Sequence, residues 1–229
     1  MQKKLVIAID GPAGAGKSTV AQRLAKKLGY INLETGAMYR ALGLKAIESN
    51  TFLGDGPQLR ALAENSTIDL EPTPSGNRVL LDGRDVSVRI REQDVTDAAS
   101  RASTHPELRE WMVNRQREMG AGGGVIMEGR DIGTVVFPNA EVKIFLDADQ
   151  SVRANRRLIQ NNASGDANAA AKVLADMAER DRRDSTRAVA PLTPAVDAIH
   201  IDSSHMTLEQ VIAEAEKIVE NKLAQVASS

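Results

Sequence analysis

The chain has no cysteine, which excludes disulfides, iron–sulfur clusters, thiol catalysis and cysteine-ligated zinc. Aromatic residues make up only 3% of it, so a ligand is expected to be chosen mainly by hydrogen bonds and not by a cage of stacked rings. His105, His200 and His205 are the only histidines; they show no ligand-like spacing and read as surface or turn residues. No segment approaches the roughly 20 apolar residues of a membrane span. The run Leu5 to Ile9 ends at Asp10, too short for the core of a signal peptide. A cytoplasmic protein with no membrane partner is expected. Neither sign of charge dominates, since 29 basic side chains face 31 acidic ones for a formal net charge of −2. That balance argues against attachment to nucleic acid through a general basic surface, while leaving room for a local basic site.

What is present suffices for a core. With 229 residues, 42% of them hydrophobic, one domain with an insertion, or two small domains, folds without a metal or disulfide staple. Lys4 to Ile9 is a short run of aliphatic residues with no helical period, as expected of a strand buried on both faces. A Gly-rich turn follows, then a helix with Val20, Ala21, Leu24, Ala25 and Leu28 on one face, stopped by Gly29. Tyr30 to Leu33 reads as a second strand and Ala37 to Ser49 as a helix. Val125 to Met127, Val142 to Leu146 and Ala198 to Ile201 read as three more strands with helices between and after them. Strands alternating with helices imply a parallel sheet covered on both faces. Between Ser66 and Ile90 the rhythm breaks: Thr67 to Leu70, Arg78 to Leu81 and Val86 to Ile90 are strand-like with no helix between them, and suggest a small antiparallel insertion. Pro72, Pro74, Ser75 and Gly76 mark one of its turns and Asp82-Gly83 another. Farther on, Pro106 suits a first helical position ahead of Leu108, Trp111 and Met112. Thr207 and Gln210 have capping-box spacing ahead of a last apolar helix face. Asn161 to Ala171 is small and polar, and reads as a mobile loop or a helix start.

Gly11-Pro12-Ala13-Gly14-Ala15-Gly16-Lys17-Ser18 fits G-x-x-x-x-G-K-[ST], the phosphate-binding loop. Glycines let the backbone wrap a polyphosphate with its N–H groups pointing inward, and the following helix adds its N-terminal partial charge. Lys17 would reach the β and γ phosphates, and the Ser18 hydroxyl would ligate Mg²⁺. A chance match has a probability on the order of one per cent, and the position between a strand and a helix reduces it further. A nucleoside triphosphate site is therefore expected. No Asp is followed by Gly three residues later and no N-K-x-D occurs, so a GTPase is not indicated. A kinase whose acceptor is itself a phosphate needs no general base, only positioning and charge neutralisation by several arginines. Of the 29 basic residues 19 are Arg, the side chain whose planar fork grips phosphate or carboxylate. Three Arg-bearing segments lie outside the loop: Glu34 to Arg40, Gly129 to Thr134, and Glu179 to Arg187. The last is explained equally by a solvated helix laced with ion pairs. Gly83-Arg84-Asp85 repeats the letters of Gly129-Arg130-Asp131 but sits where a hairpin turn is the better reading.

The loop written I-D-G-P-A-G-A-G-K-S-T, the segment E-T-G-A-M-Y-R, the long G-R-D-I-G-T-V-V-F-P-N-A-E-V-K-I-F-L-D-A and the run E-R-D-R-R-D-S-T-R-A-V-A-P-L together resemble bacterial-type cytidylate kinases over essentially the whole chain. The resemblance implies an α/β P-loop fold of three layers, with a five-stranded parallel sheet flanked by helices, a small antiparallel insertion in the monophosphate-binding region and a short lid. Residues 1–34 and 121–229 would form the core, with the lid at about 150–185. Residues 35–120 would form the monophosphate-binding region, including the insertion at about 64–98. The implied reaction moves the γ-phosphoryl group of ATP to CMP or dCMP with Mg²⁺, in a monomer that binds no nucleic acid. ATP would be held by Gly11, Pro12, Ala13, Gly14, Ala15, Gly16, Lys17, Ser18 and Thr19, with Arg156 from the lid, where Arg153 and Arg157 also fall. Lys17, Arg130, Arg180 and Arg187 would be catalytic, and Ser18 would hold the metal. Arg40 and Arg130 would grip the acceptor phosphate, beside Thr35. Ser100, Arg109 and Asp131 would lie near the cytosine edge, while Asp184, Arg180 and Arg187 would contact ribose and phosphates. Thr35 stands where some members have Ser, and Glu34 where Asp is frequent. Cytosine presents an amine donor beside N3 and O2 acceptors, which an Asp, Arg and Ser set can match and which uracil mispairs. Another small-molecule P-loop kinase, or a nucleotide-binding switch without turnover, is the alternative.

Overall fold

The computed structural model describes residues 4–73, 76–160 and 167–228. Its centre is a five-stranded sheet built from β1 (Val6–Asp10), β2 (Ile31–Glu34), β6 (Val125–Gly129), β7 (Val142–Asp147) and β8 (Ile199–Asp202), in the order β2-β6-β1-β7-β8. Every pairing is parallel. The five runs expected from the sequence are these five strands. Their lack of alternation has a direct cause, because both faces are covered. Ile7 and Ile9 join a core with Val20, Ala21 and Leu24 of α1 (Lys17–Leu28) and Val211, Ala215 and Val219 of α8 (Leu208–Ala227). Ala8, pointing the other way, joins a core with Leu33 and with Met38, Ala41 and Leu42 of α2 (Thr35–Glu48). α1 stops at Gly29, which takes φ 64° and returns its N–H to the Ala25 carbonyl. α8 opens on the capping box its spacing predicted: Gln210 N–H donates to Thr207 Oγ1 at 3.2 Å, and Thr207 N–H to Gln210 Oε1 at 2.8 Å.

The second sheet is antiparallel, β3 (Ile68–Thr73), β4 (Gly76–Leu81) and β5 (Arg84–Asp85). Asp82 and Gly83 both take positive φ, 51° and 78°, the two-residue turn expected there. Pro74 and Ser75 lie outside the described residues. The expected strand over Val86 to Ile90 is a correction. β5 ends at Asp85, and Arg89–Arg91 is a 3₁₀ turn. In a strand Val86, Val88 and Ile90 would share one face; instead Val88 is 83% exposed while Val86 and Ile90 are buried. The Ile90 N–H donates to the Val86 carbonyl at 3.0 Å, so the alternation belongs to a helical turn.

Two helices went unread in the sequence, α3 (Gly56–Glu64), capped by Asp55 through the Gln58 N–H at 2.9 Å, and α4 (Gln93–Ala102). α5 (Pro106–Gly120) starts at the proline as expected. Above the sheet run α6 (Gln150–Gln160) and α7 (Ala167–Thr186). The Asn161 to Ala171 segment is thus a helix start from Ala167, with residues 161–166 outside the described residues. No helix among the described residues is long and apolar enough to cross a membrane.

Candidate active site

The carboxyl end of β1 carries the site. Gly11 leaves the strand at φ 148°, where a Cβ would stand 1.9 Å from the Leu146 carbonyl oxygen, so only glycine lets the loop turn there. Gly16, at φ 99°, precedes α1 with no side-chain cap, and the first turn of α1 holds no acidic residue. Its N–H groups and partial positive charge are left for an anion. Lys17 is buried and donates from Nζ to the Pro12 carbonyl at 2.7 Å. Burial first, and then Arg130, hold its ammonium down to about 7, because the loop gathers more positive charge than its buried surroundings solvate comfortably.

Three carboxylates stand at the strand ends around that lysine. Asp10 accepts from the N–H groups of Ile132 and Gly133 at 2.8 and 2.7 Å, tying β1 to the short π-helical segment Ile132–Val136. Burial pushes its carboxyl up to about 6 against those two bonds. Glu128 and Glu34 face each other across the β6–β2 register. Burial, then the Glu34 charge, raises the Glu128 carboxyl, and Ser18 hydrogen-bonds to it. Glu34 is pushed up by burial but pulled lower overall by Arg40, with which it forms an ion pair.

Behind these lie interlocked arginine–aspartate pairs. Arg130 Nε donates to Asp184 Oδ2 at 2.8 Å. Arg109 pairs with Asp131, both buried, and Arg187 Nη2 stands 3.7 Å from the other Asp131 oxygen. Arg187 Nε donates to the Ala190 carbonyl at 2.6 Å. Burial, then Arg130, lowers the Arg180 guanidinium to about 10. Arg40 Nε, Arg109 Nε, Arg180 Nε and Arg187 Nη2 are buried with no hydrogen-bond partner among the described residues. Unspent buried donors on that scale are costly without a ligand, and all four belong to cations.

From α6, Arg153 Nη1 donates to the Ala13 carbonyl at 3.0 Å and to Asp181 at 2.6 Å. Arg156 Nη1 reaches the Ala15 carbonyl at 3.3 Å and Ser203 Oγ at 3.0 Å. Both brace the loop's backbone. Arg153 is buried and spent on that task, whereas Arg156 and Arg157 line the cavity.

That cavity, of about 780 Å³, is of the size that encloses small ligands. Among its walls are Ala13 to Thr19 of the loop, Thr35, Arg40, Ser100, Arg109, Arg130, Asp131, Arg156, Arg180, Asp184 and Arg187. Gly11 and Pro12, expected to hold ATP, are buried behind it and shape the turn. Sequence reasoning missed Glu128, Tyr39, Arg91, Gln93, Thr96 and Asp97, which also line it. For Glu128 a signal existed, as the only charge in the otherwise apolar strand Val125–Gly129. Tyr39 had none; its ring lies 5.9 Å from the Arg109 guanidinium.

The sequence profile of the family described as "Cytidylate kinase" matches residues 7–221. The chain belongs to the cytidylate kinase family. The cytidylate kinase of Geobacillus kaustophilus (strain HTA426) is 47% identical over 223 residues, spanning 97% of this chain and 100% of that protein. That of Pelotomaculum thermopropionicum is 51% identical over 207 residues, spanning 90% and 92%. In fold, this cytidylate kinase family member is like an uncharacterized protein from Eubacterium ventriosum, with a TM-score of 0.50 at 15% identity over 96% of this chain and 99% of the other. The P-loop and arginine cavity are therefore features of a chain that matches the cytidylate kinases over nearly its whole length, ATP being the phosphoryl donor of such a kinase.

Proposed function

We propose that this chain transfers the γ-phosphoryl group of ATP to CMP or dCMP, giving ADP and CDP or dCDP, as a cytoplasmic monomer that takes no nucleic acid. The observation that carries the reading is the single cavity joining the P-loop lysine to buried guanidinium donors without partners, with Asp131 and Asp184 already engaged by arginines. An acceptor phosphate is anionic at neutral pH, so its oxygen attacks the γ-phosphorus with no base to deprotonate it. In this mechanism Lys17, Arg130, Arg180 and Arg187 neutralise the charge spread over the transferring group. Arg40 and Arg130 hold the acceptor phosphate beside Thr35, and Asp184, with Arg180 and Arg187, holds the ribose. Asp131, Arg109 and Ser100 read the cytosine edge. We assign residues 1–34 and 121–229 to the core with its lid at 150–185, and 35–120 to monophosphate binding with the insertion at 64–98.

Mg²⁺ fits this site through few protein donors. Among the described residues no three acids or histidines cluster to cage a metal, but Mg²⁺ in phosphoryl-transfer sites takes most of its ligands from phosphates and water. Ser18, exposed toward the cavity, and Glu128, whose Oε1 is buried without a partner, would hold it. When bound it would supply additional neutralisation of phosphate charge.

ADP formation with CMP, dCMP, UMP and AMP tests the reading. CMP and dCMP are expected to be preferred; a clear preference for AMP or UMP overturns the assignment. Tight ATP binding with no turnover on any acceptor would support a nucleotide switch instead.

A further inference from the structure

Ser100 lies on α4, nearly buried, with its hydroxyl at the cavity wall. Arg183 of α7 donates to it from Nη1 at 2.9 Å. The contact is not isolated. One turn back on α7, Glu179 accepts from Arg183 Nε at 3.0 Å and steadies the guanidinium. Two turns back, Asp176 accepts from Gln93 of α4 at 3.5 Å, so the same faces of α4 and α7 meet twice.

The chemistry of this contact is directional. A guanidinium has donors and no acceptor, whereas a hydroxyl has one proton and two lone pairs. Once Arg183 donates to one lone pair, the Ser100 hydroxyl keeps its proton and a second lone pair; the cationic donor draws charge from the oxygen, which strengthens the proton as a donor and weakens the second lone pair as an acceptor, and among the described residues none supplies an acceptor for that proton. A serine left to itself rotates and accepts as readily as it donates, so it discriminates little between ligands. A serine held by Arg183 offers a proton.

We propose that Arg183 is a positioning residue for base selectivity, fixing Ser100 as a donor to N3 of the pyrimidine when α7 is docked on α4. This rests on the reading of Ser100 as a contact to the cytosine edge. N3 is an acceptor in cytosine and carries a proton in uracil, so the fixed hydroxyl pairs with the first and sets proton against proton with the second. Neighbouring Asp131, an acceptor, matches the cytosine amine and is mispaired by the uracil carbonyl. Arg183 thereby sharpens the choice without touching the base, and does so only in the docked arrangement, because the donor and the serine sit on different helices.

The test is kcat/KM for CMP and for UMP in the parent, Arg183→Met, Ser100→Ala and the double variant. Arg183→Met is expected to lower the CMP:UMP ratio about tenfold, within the span of roughly fivefold to 150-fold that one mispaired buried hydrogen bond costs. It should have no further effect on the ratio when Ser100 is already Ala. Arg183→Lys, which keeps a donor without an acceptor, should recover part of the selectivity. Loss of the same factor on both substrates, or a ratio change that persists in the Ser100→Ala background, overturns the proposal. Where Arg183→Met does not fold, Arg183→Gln replaces it; its amide both donates and accepts, so the ratio must again fall. If the parent phosphorylates neither nucleotide, the kinase reading fails by itself. Calorimetric binding of cytidine against uridine then decides the Arg183 proposal, a parent preference for cytidine that survives Arg183→Met refuting it.

Discussion

Replacing Lys17 with methionine should make the nucleotide-free protein more stable while destroying its activity. Lys17 is 6% exposed, and burial with Arg130 nearby lowers its ammonium from 10.5 to about 7. At the 1.36 kcal/mol that accompanies each tenfold change, that difference opposes folding by about 4–5 kcal/mol when the lysine is charged in both states. Methionine fills a similar volume without the charge. Against the gain stand the lost hydrogen bond to the Pro12 carbonyl, about 1 kcal/mol, and the imperfect fit of methionine in a lysine's place, up to about 1.5 kcal/mol; the attraction of Glu128 and Asp10 is already contained in the lowered value. A net stabilisation of about 1–3 kcal/mol is expected, about 2–10 °C in melting temperature for a chain of this size. The pH dependence gives the idea its sign. Below about pH 7 the lysine is protonated both folded and unfolded, and the penalty is complete. Between about pH 7 and 10.5 the unfolded chain keeps a proton that the native state has released, so the parent gains stability as pH rises. Thermal and urea unfolding of both proteins at pH 6.5 and 9.5 should show a wide gap at the lower pH and a narrow one at the higher. ATP should stabilise the parent and not the variant, and phosphoryl transfer should be lost. A variant that melts below the parent at pH 6.5, or a gap unchanged by pH, would refute the reasoning.

Arg187→Met should lower kcat/KM for CMP by about 100-fold while shifting the melting temperature by only a few degrees, because Arg187 Nη2 makes no hydrogen bond and meets Asp131 Oδ1 only at a long 3.7 Å. Losses of equal free energy in unfolding and in kinetics would mark Arg187 as an ion-pairing residue instead. Gly11→Ala puts a methyl 1.9 Å from the Leu146 oxygen; ATP-dependent thermal stabilisation should disappear, and ATP binding at parent strength would contradict the assigned loop geometry.

Legibility in the sequence followed the range of the interactions involved. The P-loop, the Gly29 stop, the Asp82-Gly83 turn and the Thr207–Gln210 box are set by residues next to one another, so spacing suffices to read them. Val86 to Ile90 misled because period-two alternation and a short helical turn share two of three positions, and burial of Val88 would have been needed to tell them apart. α3 was missed although Asp55 and Pro57 mark its start; nine residues give too short an apolar pattern to stand out beside an antiparallel insertion.

By itself the sequence determined the five parallel strands, the phosphate loop and the chemical kind of ligand, because each depends on local backbone geometry or on the apolar run a two-sided sheet requires. Pairing was decided by the tertiary structure. Arg109 meets Asp131 across 22 positions, Arg130 meets Asp184 across 54, and Arg183 meets Ser100 across 83. An arginine-rich run reads alike whether its side chains face water or a cavity. Only the packing of α4, α6 and α7 above the strand ends removes water from these guanidinium groups and leaves some of them without partners, and that desolvation separates a phosphate site from a charged surface.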